Sequence, residues 1–396
     1  MFKPNQSINL FFINISGVLI SILGLSLISR IYQPREIGIF SSSLSLISII
    51  AVISSGKLEL LLVKNIPLKL AAKSNIAAII LALISSFILF LFYLKFTDIF
   101  FALIAAITLL SIFFYDLTVN AKIRQRGSSW TIKAKTKKNF LFVFLSAGLG
   151  LISSNFYSLL IAEIFSRFII TISSVKRLYR LSRLRLYKSI FKSKYLFNFA
   201  ILTGPSWLLS NLFILSIPLL INLIYDPREV SYYALQSRIM FGGEILLAGY
   251  INQRLIGEFK AGKSFRKIFK KYLRILFVSS LFFVSASVVF LKFFASKFFG
   301  NEYSIFSESS IYYFPLAFSQ AITSSLHISL NLINKEKIQA LWNFTRGLIL
   351  CFMTVFFLKF KYPSYIFVLN VGILNLVMSI IFFSIVYFQI YRQKKV

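Results

Sequence analysis

The chain has one cysteine and one histidine in 396 residues. Cys351 alone excludes an internal disulfide. No His, Cys and carboxylate cluster has metal-ligand spacing, so no metal is expected. Acids are scarce, 12 against 44 Lys and Arg, which leaves a net charge of +32. There is no Walker glycine loop and no nucleophile elbow. Gly148 and Gly150 make a G-x-G, but Ser153 stands where a third glycine of a dinucleotide fingerprint would fall. The pair also lies in an apolar run, where small residues serve helix packing. Nothing here points to an enzyme or to a cofactor. The loops expected on the outer side are too short to fold into a catalytic domain, and the longer cytoplasmic ones are basic and patternless.

What is present is apolar residue, 58% of the chain, which exceeds the need of a soluble core. The chain is expected to be an all-α integral membrane protein. A net charge of +32 fits either nucleic acid or an anionic lipid and an anionic substrate. The basic residues sit between membrane-length apolar runs, which favours anionic membrane lipid and sets nucleic acid aside. Residues 8–29 are too long an apolar run for a signal-peptide core, and Ser29-Arg30-Ile31-Tyr32 is no small-residue cleavage site. They are expected to form the first transmembrane helix.

A bilayer core takes about 20 apolar residues in helical form. That ruler gives about 12 spans: 8–29, 38–56, 76–94, 99–119, 140–154 and 157–175, then 197–223, 230–251, 275–291, 309–333, 341–358 and 365–389. Most of the basic residues fall in stretches at 57–73, 120–139, 176–196 and 252–274, on the side of both termini. By the positive-inside rule both termini are cytoplasmic. The basic linker at 176–196 divides the chain into halves at 1–194 and 195–396. The longest outer loop is about 292–308, with Gly300-Asn301 as its turn.

One short stretch occurs twice. Ile31-Tyr32-Gln33-Pro34-Arg35-Glu36-Ile37 returns as Ile224-Tyr225-Asp226-Pro227-Arg228-Glu229-Val230, 193 positions later. Both copies fall between the first two spans of a half. This is the mark of a duplicated membrane unit, a known plan among transporters.

Charged residues inside spans cost about 2.5–3.5 kcal/mol each on insertion scales, so each needs a partner or an aqueous cavity. Glu163 and Arg167 are four apart on one helix face. They are either a self-neutralising structural pair or part of an ion-coupling site. Arg238 has no acid four residues on, and Glu244 faces another way, so Arg238 is the foremost cation for an aqueous cavity. Arg346 is either a second cavity cation or a residue that snorkels to the cytoplasmic edge. Asp116, Glu163, Glu244 and His327 are the ion-coupling candidates. Gly204, Pro205 and Pro218 in the seventh span mark a hinge or a static kink.

Several runs resemble one family. Gly38-Ile39-Phe40-Ser41, continuing through Leu44 to Ser55 and ending in Lys57-Leu58-Glu59-Leu60, resembles the second helix of bacterial polysaccharide-unit flippases, the Wzx-like proteins. Gly204-Pro205-Ser206 with Leu208-Leu209-Ser210-Asn211 is similar to that family's seventh helix. Tyr233-Ala234-Leu235-Gln236-Ser237-Arg238-Ile239 is similar to its eighth. The resemblance implies the multidrug, oligosaccharidyl-lipid and polysaccharide superfamily fold: two six-helix bundles around a central cavity, working by alternating access. It implies a lipid-linked oligosaccharide substrate, an O-antigen or capsular repeat unit on undecaprenyl diphosphate. It further implies a place in the bacterial inner membrane, with polysaccharide polymerase and chain-length proteins as partners. The family's cationic cavity carries over to Lys57 and Arg238, with Arg30 a weaker addition. A drug/cation antiporter of the same superfamily would be expected to show a more acidic cavity. A glycan polymerase would need sizeable outer loops.

Overall fold

The computed structural model describes residues 4–55, 58–59, 68–126, 129–172, 212–260, 264–332, 335–360 and 362–392. Among these there is no strand. The long helices are α1 (Pro4–Ile31), α2 (Pro34–Ser54), α3 (Leu68–Phe96), α4 (Ile99–Arg126), α5 (Ser129–Ile152) and α6 (Phe156–Ile172). They continue as α7 (Leu212–Ile224), α8 (Pro227–Lys260), α9 (Phe265–Phe299), α10 (Phe314–Leu332), α11 (Glu336–Phe360) and α12 (Ser364–Arg392). Each expected span falls on one of them over its described residues, and 197–211 of the seventh span lie outside the described residues.

The side chains are distributed for a bilayer. Phe87, Phe144, Phe282, Phe293 and Phe352 stand exposed, while Ser74, Thr108, Ser146, Ser166, Ser319 and Ser329 are buried. Lipid solvates the phenylalanines, and the small polar residues bond within and between helices. Among the described residues six helices are long and apolar enough to cross a membrane, and α1 and α7 contain shorter apolar stretches. The chain is a multi-pass, all-α membrane protein.

Two of the expected loops are helix. α4 runs on to Arg126 and α5 begins at Ser129, so Lys122, Lys133, Lys135, Lys137 and Lys138 are helical residues. α8 likewise runs to Lys260 and α9 starts at Phe265. Lysine and arginine are good helix formers. A hydropathy ruler stops where they begin, but the backbone ladder does not. α9 ends at Gly300, whose φ of 109° belongs to the left-handed region that glycine tolerates. Short helical turns then occupy Asn301–Tyr313 and lead into α10.

The chain divides into two compact units, Phe12–Leu219 and Leu220–Val396 with Met1–Phe11. The expected boundary at 194/195 lies outside the described residues. The two units repeat one packing scheme. α2 packs on α3 and α4, as α8 does on α9 and α10. The pairs α3 with α4, α4 with α5, α4 with α6 and α5 with α6 recur as α9 with α10, α10 with α11, α10 with α12 and α11 with α12.

The repeated stretch explains part of this agreement. In both copies Pro occupies the first helical position, where its missing N–H is harmless. The Glu36 N–H donates to the Gln33 carbonyl at 3.0 Å, and the Glu229 N–H to the Asp226 carbonyl at 3.0 Å. Each glutamate then reaches the start of a later helix of its own unit. Glu36 Oε2 accepts the backbone N–H of Phe156 at 2.7 Å, at the head of α6. Glu229 Oε2 accepts from the hydroxyl of Ser364, at the head of α12. An anion at a helix N-terminus meets unpaired N–H groups and the positive end of the helix dipole.

Candidate functional site

In the N-terminal unit the interior charges gather around α5 and α6. Leu159, Ala162, Glu163, Ser166 and Ile170 form the buried face of α6, while Phe165, Ile169 and Ile172 are exposed. That face carries a carboxylate among apolar and small residues. On α5, Ala134, Phe142 and Ser146 are buried while Phe140 and Phe144 are exposed. Lys138 belongs to the buried stripe by its four-residue spacing from Ala134 and Phe142.

The two stripes bring three charges together. Lys138 Nζ lies 2.7 Å from Glu163 Oε1. Arg167 donates to the same oxygen through Nη2 at 2.5 Å and Nε at 3.0 Å. Glu163 is 2% exposed, Arg167 13% and Lys138 19%, so the anion is sealed and the cations are not. The Tyr115 ring of α4 faces Arg167 with 5.8 Å from guanidinium carbon to centroid. Further along, Lys122 sits 3.8 Å from the centre of the Trp130 ring. Two cations on one carboxylate satisfy the buried charge. The expected i,i+4 pair is present, but it is two-thirds of the cluster. Hydropathy places Lys138 in the basic stretch 120–139, and its four-residue spacing from Ala134 and Phe142 along α5 is the signal that puts it on the inward face.

The C-terminal unit has a buried polar seam instead. Asn375 donates to Ser319 at 2.5 Å, and the hydroxyls of Thr323 and Ser379 lie 2.8 Å apart, linking α10 to α12. These helices run close. A Cβ on Gly372 would stand 2.7 Å from the backbone nitrogen of Leu316. α11 joins the seam through Trp342 stacked on Phe382 at 4.6 Å and Phe357 edge-on to Phe367 at 5.2 Å. Between these anchors Arg346 is level with the turn bearing Asn375 and Ser379. Arg346 is 3% exposed and lies about 15 Å along the helix from its start. Its side chain is packed inside the unit. The span ruler starts this segment at 341, whereas the helix starts at Glu336, more than a turn earlier.

The other candidates are dispersed. Arg238 is exposed on α8 between buried Ser237 and Ile239, and Arg30 is exposed in the last turn of α1. Asp116 is half-buried on α4, beside Tyr115 in sequence. Pro218 is buried within α7, which is helical on both sides of it. Glu244 and His327 lie on α8 and α10, with side chains outside the described residues, and Lys57, Gly204 and Pro205 lie outside them altogether. Among the described residues no group of His, Cys, Asp and Glu could hold a metal ion.

No protein-family model matches the chain, and no curated protein matches it in sequence. Solved structures do match its fold. The lipid II flippase MurJ in an inward closed conformation superposes with a TM-score of 0.73 at 16% identity, over 97% of this chain and 89% of that one. An inward-facing multidrug resistance MATE transporter of the MOP superfamily gives 0.64 at 13% identity, over 98% and 96%. A MOP superfamily transporter from Pyrococcus furiosus, described as having a binding pocket of reverse polarity, gives 0.63 at 13% identity, over 98% and 95%. The chain has the fold of MOP superfamily transporters along nearly its whole length.

Proposed function

We propose that this protein is a flippase that carries an undecaprenyl-diphosphate-linked oligosaccharide, an O-antigen or capsular repeat unit, from the cytoplasmic to the periplasmic leaflet. Its fold is shared with a lipid II flippase over 97% of the chain. The observation that carries the substrate's charge is the convergence of Lys138 and Arg167 on one carboxylate. A diphosphate crossing a low-dielectric layer faces a steep barrier, and interior cations lower it. No bond is broken, so no enzyme-like centre is needed.

In this reading the halves 1–194 and 195–396 alternate access from the two sides of the bacterial inner membrane, with both termini in the cytoplasm. Arg238, Arg30, Lys57 and Arg346 contribute further positive charge on the path. Gly204, Pro205 and Pro218 let the seventh helix bend. Glu163, tied to two cations, serves as an anchor, which leaves Asp116, Glu244 and His327 as the candidates for ion coupling. Polymerase and chain-length proteins act on the delivered unit.

Deleting the gene and analysing surface glycan together with the lipid-linked pool tests this. The expected result is loss of surface polysaccharide with complete repeat units held on the lipid carrier at the inner leaflet. Arg238→Ala should fail to restore the glycan at normal membrane abundance. A drug/cation antiporter is the second reading, supported by multidrug MATE structures of the same fold. Unchanged glycan together with lost drug efflux in the deletion strain would select it.

A further inference from the structure

The first three turns of α9 are basic on one side. Arg266, Lys267, Lys270, Lys271 and Arg274 are exposed, while Ile268, Phe269, Tyr272 and Leu276 form the buried face. Spacings of three and four residues put Lys267, Lys270, Lys271 and Arg274 along one stripe. Among the described residues none of the five cations is in an ion pair. Glu258 of α8 meets α9 on the buried face, where the Tyr272 hydroxyl donates to it at 2.5 Å. A basic face at the end of a helix is ordinarily solvated by water. Here the same stripe runs on through Phe277, Val278, Leu281 and Phe282, which are 44–66% exposed. Lipid solvates such side chains, so the cations head a lipid-facing stripe.

Length gives their depth. Residues 275–291 hold no charge and rise about 26 Å as helix. The hydrocarbon core is about 30 Å thick, and the headgroup layers add about 5–8 Å on each side. Arg274, Lys271 and Lys270 therefore fall in a headgroup layer, with Lys267 and Arg266 at its outer edge. Tyrosine marks the same level. The Arg266 guanidinium lies 3.4 Å from the centre of the Tyr391 ring, in the last turn of α12, and Tyr387 stacks on Tyr391 at 4.1 Å. Tyrosines collect where an apolar ring and a wet hydroxyl meet. The repeated packing supplies a comparison. α3, the counterpart of α9, opens with Lys69 and Lys73 alone before its apolar run. Two cations suffice to delimit that helix, so the larger charge on α9 calls for its own explanation.

We propose that the first three turns of α9 bind the headgroup of an anionic phospholipid, in the leaflet on the side of the C-terminus, with the acyl chains lying along Phe277, Val278 and Phe282. The phosphodiester of phosphatidylglycerol brings a net negative charge to the depth of Lys270, Lys271 and Arg274. Phosphatidylcholine offers the same phosphate with its charge cancelled by choline. The site lies on the outer annulus of the C-terminal unit and is independent of the substrate carried.

The test uses the full-length protein with Cys351→Ser, which frees the chain for one fluorophore on a new cysteine, in phosphatidylcholine nanodiscs. Val278→Cys puts the fluorophore beside the cations, and Val289→Cys puts it on the same stripe about 17 Å further along. Quenching is titrated with nitroxide-labelled phosphatidylglycerol and with nitroxide-labelled phosphatidylcholine. At position 278 phosphatidylglycerol should be preferred about fivefold or more, the effect of one basic residue near an anionic surface. At position 289 the two lipids should quench alike. The combined variant Lys267→Gln, Lys270→Gln and Lys271→Gln should bring them to parity at position 278, and the matching triple arginine variant should keep the preference. Salt at about 1 M, where the Debye length is about 3 Å, should shrink the preference without any change at the lysines, and this decides the matter if the glutamine variant is poorly folded. The site is overturned by parity at position 278, by an equal preference at position 289, or by a preference that the glutamine variant or the salt leaves intact. The flippase reading stands or falls separately, on the deletion strain.

Discussion

The duplicated glutamates make a quantitative prediction. Glu36 reaches the head of α6 and Glu229 the head of α12, in units that share no residue of the contact. A hydrogen bond to a charged group contributes about 1.5–3 kcal/mol, and a charge at a helix N-terminus about 0.3–1 kcal/mol. Glu36→Ala should therefore cost about 2–3 kcal/mol, and Glu36→Gln, which keeps an acceptor and loses the charge, about 1 kcal/mol. The C-terminal copy allows a sharper test, because its partner is a side chain. A double-mutant cycle of Glu229→Ala with Ser364→Ala should show a coupling of about 1–2 kcal/mol. The cycle of Glu36→Ala with Ser364→Ala should be additive within about 0.5 kcal/mol, since the two residues serve different contacts. Thermal unfolding of the detergent-purified protein, referenced to wild type, reads all of these. An additive Glu229/Ser364 cycle would refute the reasoning, as would Glu36→Ala unfolding at the wild-type temperature.

Three further outcomes are expected. Glu163→Ala removes the carboxylate shared by two largely buried cations and should cost about 3–5 kcal/mol, seen as loss of monodisperse protein, whereas Lys138→Met should cost less because Arg167 still neutralises the acid. Gly372→Leu drives a side chain into the backbone of α10 and should cost at least about 1–3 kcal/mol in the same unfolding assay, with Gly372→Ala intermediate. Reporter fusions at Arg183 and Asn301 should read cytoplasm and periplasm respectively, and two readings on the same side would remove the twelve-span arrangement.

Much of this protein was fixed by one-dimensional information. A helix crossing lipid must satisfy its own backbone and present apolar residues over a set length, so hydropathy alone locates each span. The duplication was legible too, because a turn with Pro at its first helical position and an acid behind it has a short local code. The purpose of that acid was not legible. Glu36 and Phe156 are 120 residues apart, and only folding puts the carboxylate over the head of α6. The same limit applied to the charges. Glu163 with Arg167 is a local pair on one helix and was read as such. Lys138 adds to it from a different helix, and a hydropathy ruler counts lysine as the end of a span whichever way the side chain points. For Arg346 the ruler clips the polar first turn of α11, which begins at Glu336, so its place along the helix is read only from the folded chain. Sequence period and composition determine which segments enter the membrane. Which face of each helix turns inward, and therefore which charges meet, is decided by packing between segments remote in the chain.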